Sequence, residues 1–364
     1  MSHYFFTGFP GFISSRLIRQ LIRKRSDLSK IVLLVLPHMV SKAEAELAHI
    51  AEREQVPLHL FRVITGDITE KNLAIPADIQ SELAGSITHV FHLAAIYDLA
   101  VEQHEAEKIN VLGTEHVNQW LITLTELKHY IYFSTAYVSG KREGRILENE
   151  LEANQSFKNW YEQTKYVAEV KVKAQMDRIP TTIVRPGIVI GDSNTGETSK
   201  FDGPYFFLNI MDRLEGMPIS PFIGKGKAEG NFVPIDYITE ATEYLTRDQK
   251  GIGATYHLTD PKPYQMNEVY QMLSQGYRKQ DPAGVVSPTI LKGLFSIPLL
   301  RQKLQVEKEA IDYFIYEAVY DTTQTQLALK DSGISCPDLK EYLPRIIEYY
   351  QVHKNDASKH LDIK

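Results

Sequence analysis

The chain opens with His3-Tyr4-Phe5-Phe6-Thr7-Gly8-Phe9-Pro10-Gly11-Phe12, and this stretch decides the fold. It predicts a short buried strand over 3–7, a glycine turn, and a helix that begins near Gly11. A strand that ends at Thr7-Gly8 and continues as a helix brings free backbone N–H groups to one point. Such a point suits a phosphate or pyrophosphate group. The opening residues therefore indicate a dinucleotide-binding protein.

Apolar runs alternate with helical stretches through the first half of the chain. Residues 31–36 and 89–93 are nearly continuous apolar runs, as expected for strands buried on both faces of a parallel sheet. The alternation predicts an α/β fold with a Rossmann-type doubly wound parallel sheet. We expect strands at 3–7, 30–36, 58–65, 88–93, 129–134 and 181–185, and helices at 11–25, 41–55, 76–84, 106–126 and 158–178.

The alternation loosens after residue 190, which predicts a smaller, mostly helical C-terminal lobe that binds the substrate. We expect short strands at 230–234 and 255–258, and helices at 204–215, 236–247, 266–278 and 307–318. The predicted domains are a dinucleotide-binding domain at 1–190 with contributions from about 230–258, a substrate-binding lobe at 191–352, and a polar tail at 353–364.

Composition and charge exclude several classes of function. Of the 364 residues, 43% are hydrophobic and 24% are charged, as in soluble globular proteins. The net charge of −6 argues against a broad nucleic-acid surface. Cys336 is the single cysteine, which excludes an internal disulfide or a cysteine metal cluster and favours a reducing, cytoplasmic compartment. We expect no metal site.

No apolar run reaches the ~18 residues that a transmembrane helix needs. The nearest, at 290–300, is interrupted by Lys292, Gly293 and Pro298. It is either a buried lid or core segment, or an apolar flap that touches acyl chains or a membrane surface.

The opening turn supplies two glycines of a dinucleotide fingerprint, and Ser14 stands where a third is expected. The end of the second strand then discriminates between cofactors, because an acid there would bind the 2′-hydroxyl of NAD. Here no acid follows Leu36, whereas His38 and Lys42 do. Nearby cations favour a 2′-phosphate, so we expect NADP(H) rather than NAD(H), although both residues fit a solvated loop equally well.

Two later strand ends supply further cofactor candidates. Asp67 and Ile68 follow the third strand, where the carboxylate either accepts a bond from the adenine amino group or caps the turn. Leu93, Ala94 and Ala95 follow the fourth strand, and their small side chains would let the cofactor approach the backbone.

A proton-transfer pair lies on the helix predicted at 158–178. Tyr161 and Lys165 are four residues apart, so both face the same side of that helix. An ammonium beside a phenol lowers the phenol pKa, which would let Tyr161 exchange a proton with a substrate oxygen. Thr135, or else Ser134, stands at the end of the fifth strand and can donate to a carbonyl oxygen. Alternatively, both hydroxyls satisfy local backbone groups.

With these residues the chain resembles the extended short-chain dehydrogenases/reductases, and within them the fatty acyl-CoA reductase and thioester-reductase branch, also called male-sterility-like. The similar segments are 7–12, 66–69, 92–95, 110–114, 134–138, 161–165, 185–192 and 233–237. The resemblance covers roughly residues 3–260. The branch leads us to expect an arginine near Pro37 or His38, which this chain lacks.

The resemblance implies a role for each matching residue. Tyr161 would be the general acid, Lys165 would hold the nicotinamide ribose, and Thr135 would bind the substrate oxygen. The implied cofactor-binding set is Thr7, Gly8, Phe9, Pro10, Gly11, Phe12, His38, Lys42, Asp67, Ile68, Leu93, Ala94, Ala95, Asn110, Tyr161, Lys165, Pro186, Gly187 and Ile188.

We therefore predict an oxidoreductase that transfers hydride from NADPH to the carbonyl of an acyl thioester, an aldehyde or a hydrophobic ketone. A nucleotide-sugar epimerase or dehydratase with tightly bound NAD is the first alternative, and a non-catalytic dinucleotide sensor is the second. The partners would be a small-molecule or acyl-thioester substrate and no nucleic acid. The predicted helices at 106–126 and 158–178 could pair two copies as a homodimer.

Overall fold

Seven parallel strands form the central sheet of the part of the chain that the computed structural model describes, residues 2–214, 216, 221–247, 250–361 and 363. The described strands are β1 (Ser2–Thr7), β2 (Leu28–Val35), β3 (Phe61–Thr65), β4 (His89–His92), β5 (His129–Phe133), β6 (Gly144–Ile146), β7 (Thr181–Pro186), β8 (Ile188–Ile190), β9 (Phe222–Ile223), β10 (Phe232–Pro234), β11 (Thr255–Leu258), β12 (Val285–Val286) and β13 (Ala318–Tyr320). The described helices are α1 (Phe12–Lys24), α2 (Val40–Glu54), α3 (Ala77–Ala84), α4 (Gln103–Ala106), α5 (Gly113–Leu121), α6 (Trp160–Lys173), α7 (Tyr205–Arg213), α8 (Ile235–Leu245), α9 (Met266–Arg278), α10 (Pro288–Leu294), α11 (Pro298–Leu304), α12 (Thr323–Leu329) and α13 (Leu339–His353).

The strand order places the functional loops. It runs β11-β7-β5-β4-β1-β2-β3, so the direction of winding reverses between β1 and β4. The register pairs Thr7 with His92, and His92 with Tyr132. The carboxyl ends of β1, β4 and β5 therefore lie side by side, where doubly wound sheets bind their ligands. The predicted fold class is confirmed.

Helices cover both faces of the sheet because most sheet strands carry apolar side chains on both faces. On one face, Leu17 and Leu21 of α1 share a buried core with Ile238 and Ala241 of α8. On the other face, α5 and α6 pack beside α3 around Trp120 and other fully buried side chains. Thus α8, although late in the sequence, packs on the cofactor half of the molecule.

A separate core holds the C-terminal lobe together. It joins α7, α9 and α13 through buried aromatic residues such as Phe207, Tyr270, Tyr342 and Tyr350. The sequence analysis missed α13, although its buried residues recur at helical spacing. The last residue of the helix predicted at 204–215, and residues 362 and 364 of the predicted tail, lie outside the described residues.

The helix predicted at 307–318 is wrong. The chain forms 3-10 turns over Lys308–Phe314 and then β13, which pairs in parallel with β6. The cause is a tertiary contact, since the partner of Ala318 is Gly144, far away in sequence. The prediction also omits the short elements β6, β8, β9, β12, α10, α11 and α12, and the other differences lie at element boundaries. β3 begins at Phe61, and a π-helical turn over Glu107–Leu112 joins α4 to α5.

The apolar stretch at 290–300 is mostly exposed rather than buried. It forms parts of α10 and α11, in which Ile290, Ile297 and Leu299 are 58%, 52% and 76% exposed. Phe295 alone of the large apolar side chains in this stretch is fully packed, at 4% exposure. The expectation of a buried lid or core segment is therefore corrected. Among the described residues, no helix is long and apolar enough to cross a bilayer.

Candidate active site

The turn after β1 is built around two glycines. Gly8 has a φ of +82°, which glycine adopts without strain. The N–H of Gly11 donates to the Gly8 carbonyl oxygen at 2.9 Å. The Ser14 hydroxyl lies 2.9 Å from the carbonyl oxygens of both Gly8 and Gly11 and donates to them. Ser14, which replaces the third glycine of the fingerprint, lies in the first turn of α1. Its hydrogen bonds therefore tie the glycine loop to that helix.

The N-terminus of α1 is open to an anion. Gly11 is the N-cap, no described side chain caps the helix, and its first turn carries no acidic residue. The first N–H groups of a helix lack intrahelical partners, and the helix dipole adds positive charge there. This end of α1 therefore fits a pyrophosphate group, as the opening sequence predicts.

The chain after β4 passes close to this turn. A Cβ atom placed on Gly8 would lie 2.6 Å from the Ala94 nitrogen and 2.7 Å from the Leu93 carbonyl carbon. Leu93, Ala94 and Ala95 are half-buried. The close approach of two backbones explains why only glycine fits at position 8, and it leaves a shallow cradle for a ligand.

The end of β2 carries the predicted phosphate-binding candidates. His38 lies in a 3-10 turn over Pro37–Met39, and Lys42 lies in the first turn of α2; both side chains are exposed. The first turn of α2 contains no acidic residue. Both cations are therefore accessible at the carboxyl edge of the sheet.

Asp67 follows β3 and closes a local turn. Its carboxylate accepts a hydrogen bond from the Thr69 N–H at 2.8 Å, which is the turn-capping alternative of the sequence analysis. Ile68 beside it is buried. The adenine-binding role of Asp67 is not seen in these contacts and stays a prediction.

A buried polar chain begins at Thr7 behind the glycine turn. The Thr7 hydroxyl accepts a hydrogen bond from the Ala94 N–H at 3.1 Å and lies 2.7 Å from His92 Nδ1. His92 Nε2 lies 3.1 Å from the Thr114 hydroxyl. Burial lowers the pKa of His92 to about 3, so the ring is neutral. The tautomer that uses every donor has Thr7 donating to Nδ1 and Nε2–H donating to Thr114.

The two hydroxyl candidates after β5 have different surroundings. The Ser134 hydroxyl donates to Glu169 Oε2 at 2.5 Å, so it faces a buried ion pair. The Thr135 hydroxyl accepts a weak bond from the Tyr137 N–H at 3.3 Å, and it lies near enough to the Tyr161 phenol to lower the pKa of that group. Of the two, Thr135 is the one that meets the candidate general acid.

Tyr161 and Lys165 do not pair with each other as the helical spacing suggests. Burial raises the pKa of Tyr161 to about 12, and the nearby Thr135 hydroxyl offsets only part of that rise. The ammonium of Lys165 donates instead to the Phe133 carbonyl oxygen at 2.7 Å and to the Tyr132 hydroxyl at 3.1 Å. Burial lowers the pKa of Lys165 to about 7. The expected lowering of the phenol pKa by the lysine is therefore corrected for this structure.

Tyr132 joins Lys165 to the buried polar chain. Burial raises the pKa of Tyr132 well above its usual value, and the nearby Thr114 hydroxyl offsets part of that rise, so a series of buried polar groups runs from Thr7 through His92, Thr114 and Tyr132 to Lys165. The sequence analysis missed these members. The available signal was the polar-tipped aromatic residues within β4 and β5, which are unusual in strands buried on both faces.

Asn110 holds the loop after β4 to α6. Its Oδ1 accepts the Ile96 N–H at 2.9 Å, and its Nδ2 donates to the Thr164 hydroxyl at 3.0 Å. Thr164 is the neighbour of Lys165, and Asn110 lies in the π-helical turn, a feature that is frequent at functional sites. Asn110 therefore acts here through α6 and the loop after β4, and its cofactor-binding role stays a prediction.

The segment after β7 forms another wall of the site. Pro186 ends the strand, and the Ile188 N–H donates to the Asn231 carbonyl oxygen at 2.9 Å. A Cβ atom on Gly187 would lie 2.6 Å from that same oxygen. β7 is the neighbour of β5, so Pro186, Gly187 and Ile188 lie at the same sheet edge as Thr135.

A small aromatic cleft, with a cavity volume of about 20 Å³, lies between α6 and the C-terminal lobe. Lys158 lies within it, 2.9 Å from Glu162 Oε1 and 5.0 Å from the centre of the Tyr313 ring. The Tyr313 hydroxyl donates to Glu162 at 3.0 Å, which docks the 3-10 segment onto the start of α6. The cleft is lined by Tyr137, Lys158, Ile188, Glu229, Gly230, Met266, Tyr313, Tyr316, Ala318 and Tyr320.

Comparison with known proteins identifies the family of this chain. The family model described as male sterility protein, an NAD-binding type, matches residues 6–242. Nonribosomal peptide synthetase asaC and aldehyde reductase lnbA of Aspergillus flavus are 26% and 25% identical over 93% and 94% of this chain. The fatty acyl-CoA reductase wat of Drosophila melanogaster is 26% identical over 65% of this chain and 52% of its own. The chain spans about a third of the two Aspergillus proteins, 36% and 34%.

Solved structures show the same architecture. The terminal R domain from the myxalamid PKS-NRPS biosynthetic pathway has a TM-score of 0.82 and 25% identity, covering 97% of this chain and 91% of its own. UDP-glucuronic acid 4-epimerase from Bacillus cereus, in complex with NAD, has a TM-score of 0.65 and 20% identity, covering 96% of this chain and 99% of its own. This likeness shows a shared fold alone. On the match over residues 6–242, together with the glycine turn and the Thr135–Tyr161 pair, this chain belongs to the male sterility protein family, on an extended short-chain dehydrogenase/reductase fold.

Proposed function

We propose that this chain reduces the carbonyl group of an acyl thioester or an aldehyde with a nicotinamide dinucleotide. The observation that carries the proposal is that Thr135, at the carboxyl end of β5, lies near enough to Tyr161 to lower its pKa, at the same sheet edge as the open N-terminus of α1. The relatives named as aldehyde reductase and fatty acyl-CoA reductase support this reaction class. An acyl thioester or another small molecule would be the substrate.

Each residue of the site would have a separate role in the reaction. When bound, the dinucleotide supplies the hydride to the carbonyl carbon. Tyr161 is protonated at neutral pH, because burial raises its pKa to about 12, and it donates that proton to the carbonyl oxygen. Thr135 hydrogen-bonds the same oxygen, and Lys165 holds the nicotinamide ribose. For a thioester, the oxygen then returns its proton through Tyr161 to the sulfur as the C–S bond breaks, which gives an aldehyde and a thiol.

The cofactor contacts follow from the site. Gly8, Gly11 and the first turn of α1 would hold the pyrophosphate, and the 186–188 wall would line the nicotinamide pocket. We propose NADPH rather than NADH, since His38 and Lys42 are exposed where the 2′-phosphate would lie. Asp67 would lie near the adenine.

The domain assignment and the dimer are also proposals. We assign the cofactor domain to 1–190 with elements from 230–258, the substrate lobe to 191–352, and the tail to 353–364. The packing of α8 against α1 supports the contribution from 230–258. The helical regions near 106–126 and 158–178 would pair two copies.

The test is oxidation of NADPH and NADH against acyl thioesters, aldehydes, ketones and nucleotide sugars. We expect turnover with a thioester or an aldehyde, and at least a 100-fold loss of kcat in Tyr161→Phe with dinucleotide affinity retained. Parental turnover in Tyr161→Phe would contradict the role of Tyr161. Tightly bound NAD without net oxidation by any carbonyl would contradict the reductase and favour an epimerase.

A further inference from the structure

The helices α10 and α11 have two apolar faces, and the C-terminal lobe covers only one of them. On the inner face, Leu291, Phe295 and Leu304 pack around Phe206 and Ile210 of α7. A surface helix of a globular protein normally carries one such apolar stripe and is polar on the opposite side. The opposite side of this helix pair is apolar as well.

The outer face carries four large aliphatic side chains that are exposed to solvent. Ile290 and Leu294 are four residues apart on α10 and therefore share one side of that helix. Ile297 lies in the turn between the helices, and Leu299 lies in the first turn of α11. Single exposed apolar side chains are ordinary, whereas several on adjoining turns mark an interaction surface. We call these four residues the apolar face.

The apolar face lies in a basic segment of an acidic chain. The whole chain has a net charge of −6, yet residues 282–306 contain no aspartate or glutamate. The cations of this segment are Lys292, Arg301 and Lys303. Lys292 forms an ion pair with Asp312, whereas Lys303 is exposed at the end of α11. The end of α11 therefore presents positive charge beside the apolar face.

Further cations lie at the other end of the apolar face, where α10 begins. The Gly224 N–H donates to the Val286 carbonyl oxygen at 2.9 Å, and a Cβ atom on Gly224 would lie 2.9 Å from Pro288 Cγ. Lys225 and Lys227 follow in the same loop, and both are exposed. Exposed lysines thus flank the apolar face at the start of α10 and at the end of α11.

A bilayer with anionic headgroups fits this combination better than a protein partner does. The cores of protein–protein interfaces are enriched in aromatic residues that fill pockets. Phe295 is the single aromatic residue of 282–306, and it packs inward. The aliphatic side chains of the apolar face project into solvent, and lipid acyl chains can surround them without a matching shape. The flanking lysines complement anionic headgroups.

We propose that the outer face of α10 and α11 binds the surface of bilayers that contain anionic lipids. The apolar face enters the boundary between the headgroups and the acyl chains, and Lys225, Lys227 and Lys303 contact the headgroup phosphates. The attachment is peripheral and reversible. It goes beyond the proposed reductase function and does not depend on it.

The experiment is sedimentation of the full chain with sucrose-loaded vesicles. One set of vesicles contains phosphatidylcholine alone, and the other contains about 30% phosphatidylglycerol; each is tested at about 50 mM and about 500 mM NaCl. We expect binding to the anionic vesicles at low salt to be at least about tenfold stronger than binding to phosphatidylcholine. High salt should weaken it, because salt screens charges at the surface.

Three variants assign the binding to this face. Ile297→Ser combined with Leu299→Ser should lower partition into anionic vesicles about 10- to 100-fold, because two large apolar side chains no longer leave water. Leu327→Ser is the matched control, since Leu327 lies on α12 and is 72% exposed, close to the 76% of Leu299; its partition should stay at the parental value. Lys225→Gln combined with Lys227→Gln should lower partition about 5- to 30-fold at low salt.

Several outcomes would overturn the inference. One is the absence of binding to phosphatidylglycerol vesicles at low salt, and another is an equal loss in Leu327→Ser and in the variant of the apolar face, with both folded by circular dichroism. Binding to soluble polyglutamate but not to vesicles would indicate an acidic protein partner. A dimer that dissociates in Leu299→Ser, without vesicle binding, would indicate a second copy of this chain. None of these results bears on the reductase, which dinucleotide oxidation tests separately.

Discussion

Glu169→Gln is the most informative perturbation of the scaffold behind the site. Arg185 and Glu169 form an ion pair in which both side chains are 0% exposed, with Arg185 Nη2 2.6 Å from Glu169 Oε1. Arg185 Nε lies 3.0 and 3.1 Å from the two carboxylate oxygens. The Ser134 hydroxyl donates to Oε2 as well, so both oxygens are engaged. The pair therefore fixes the residue directly before Thr135.

The expected loss of stability in Glu169→Gln follows from the burial of the ion pair. A glutamine amide can keep its oxygen toward Arg185 only if its NH₂ group turns toward Ser134. The guanidinium then stays buried without a compensating charge. Removing one partner of a buried ion pair destabilises proteins by about 3–5 kcal/mol. We expect the free energy of unfolding to fall by that amount, and the melting temperature to fall by roughly 4–7 °C.

The assay is urea unfolding of the parental protein and of two variants, followed by circular dichroism. Arg145→Gln is the control, because Arg145 pairs with Asp321 at 2.6 Å but is 66% exposed. Exposed pairs contribute about 0–1 kcal/mol. A loss in Glu169→Gln no larger than that of Arg145→Gln, with an unchanged denaturant dependence, would refute the reasoning from burial.

Three further changes test the cofactor and proton sites. The kcat/KM of the free enzyme should fall as pH rises through about 7, because burial lowers the pKa of Lys165 to about that value and the lysine loses its charge above it. Tyr132→Phe removes a hydrogen-bond partner of the ammonium and should shift this fall in kcat/KM to lower pH. Superimposed pH profiles of the parental protein and the variant would exclude a role of Tyr132 in setting the pKa of Lys165. Gly8→Ala places a Cβ atom 2.6 Å from the Ala94 nitrogen and should raise the dinucleotide Kd, measured by calorimetry, by about tenfold or more; an unchanged Kd would contradict the close approach. Lys42→Ala should raise the KM for NADPH several-fold and leave that for NADH unchanged, and an equal effect on both would argue against a phosphate contact.

Local patterns predicted the parts of the site that depend on neighbours in sequence. The strand, glycine turn and helix from 3 to 25 follow from spacing and residue type, and Tyr161 lies on a helix that Asn159 caps through its side chain. The ends of β1, β4 and β5 then meet because parallel strands share one carboxyl edge.

Long-range contacts determine the parts of the site that local sequence patterns did not predict. The helical spacing of Tyr161 and Lys165 is correct, yet the ammonium contacts Tyr132, from a strand some thirty residues earlier. Glu229 joins the cleft only because the backbone of 228–230 pairs with that of 264–266. Burial, rather than spacing, then sets the direction of the pKa shifts of Tyr161 and Lys165.

The partners of Glu148 have a consequence for synthesis on the ribosome. The buried carboxylate of Glu148 accepts hydrogen bonds from the N–H groups of His257, Gln324 and Thr325 and from the Thr325 hydroxyl. Ribosomes synthesise chains at about 5–20 residues per second. Residues 324 and 325 are therefore synthesised roughly ten seconds or more after Glu148. The strands of the cofactor half are synthesised early, whereas the wall that carries Tyr313 and Tyr320 and the helix α13 are synthesised late. We expect a nascent chain paused at residue 242, where the family match ends, to contain every strand that forms the glycine turn but none of the residues at 313–320 that line the cleft.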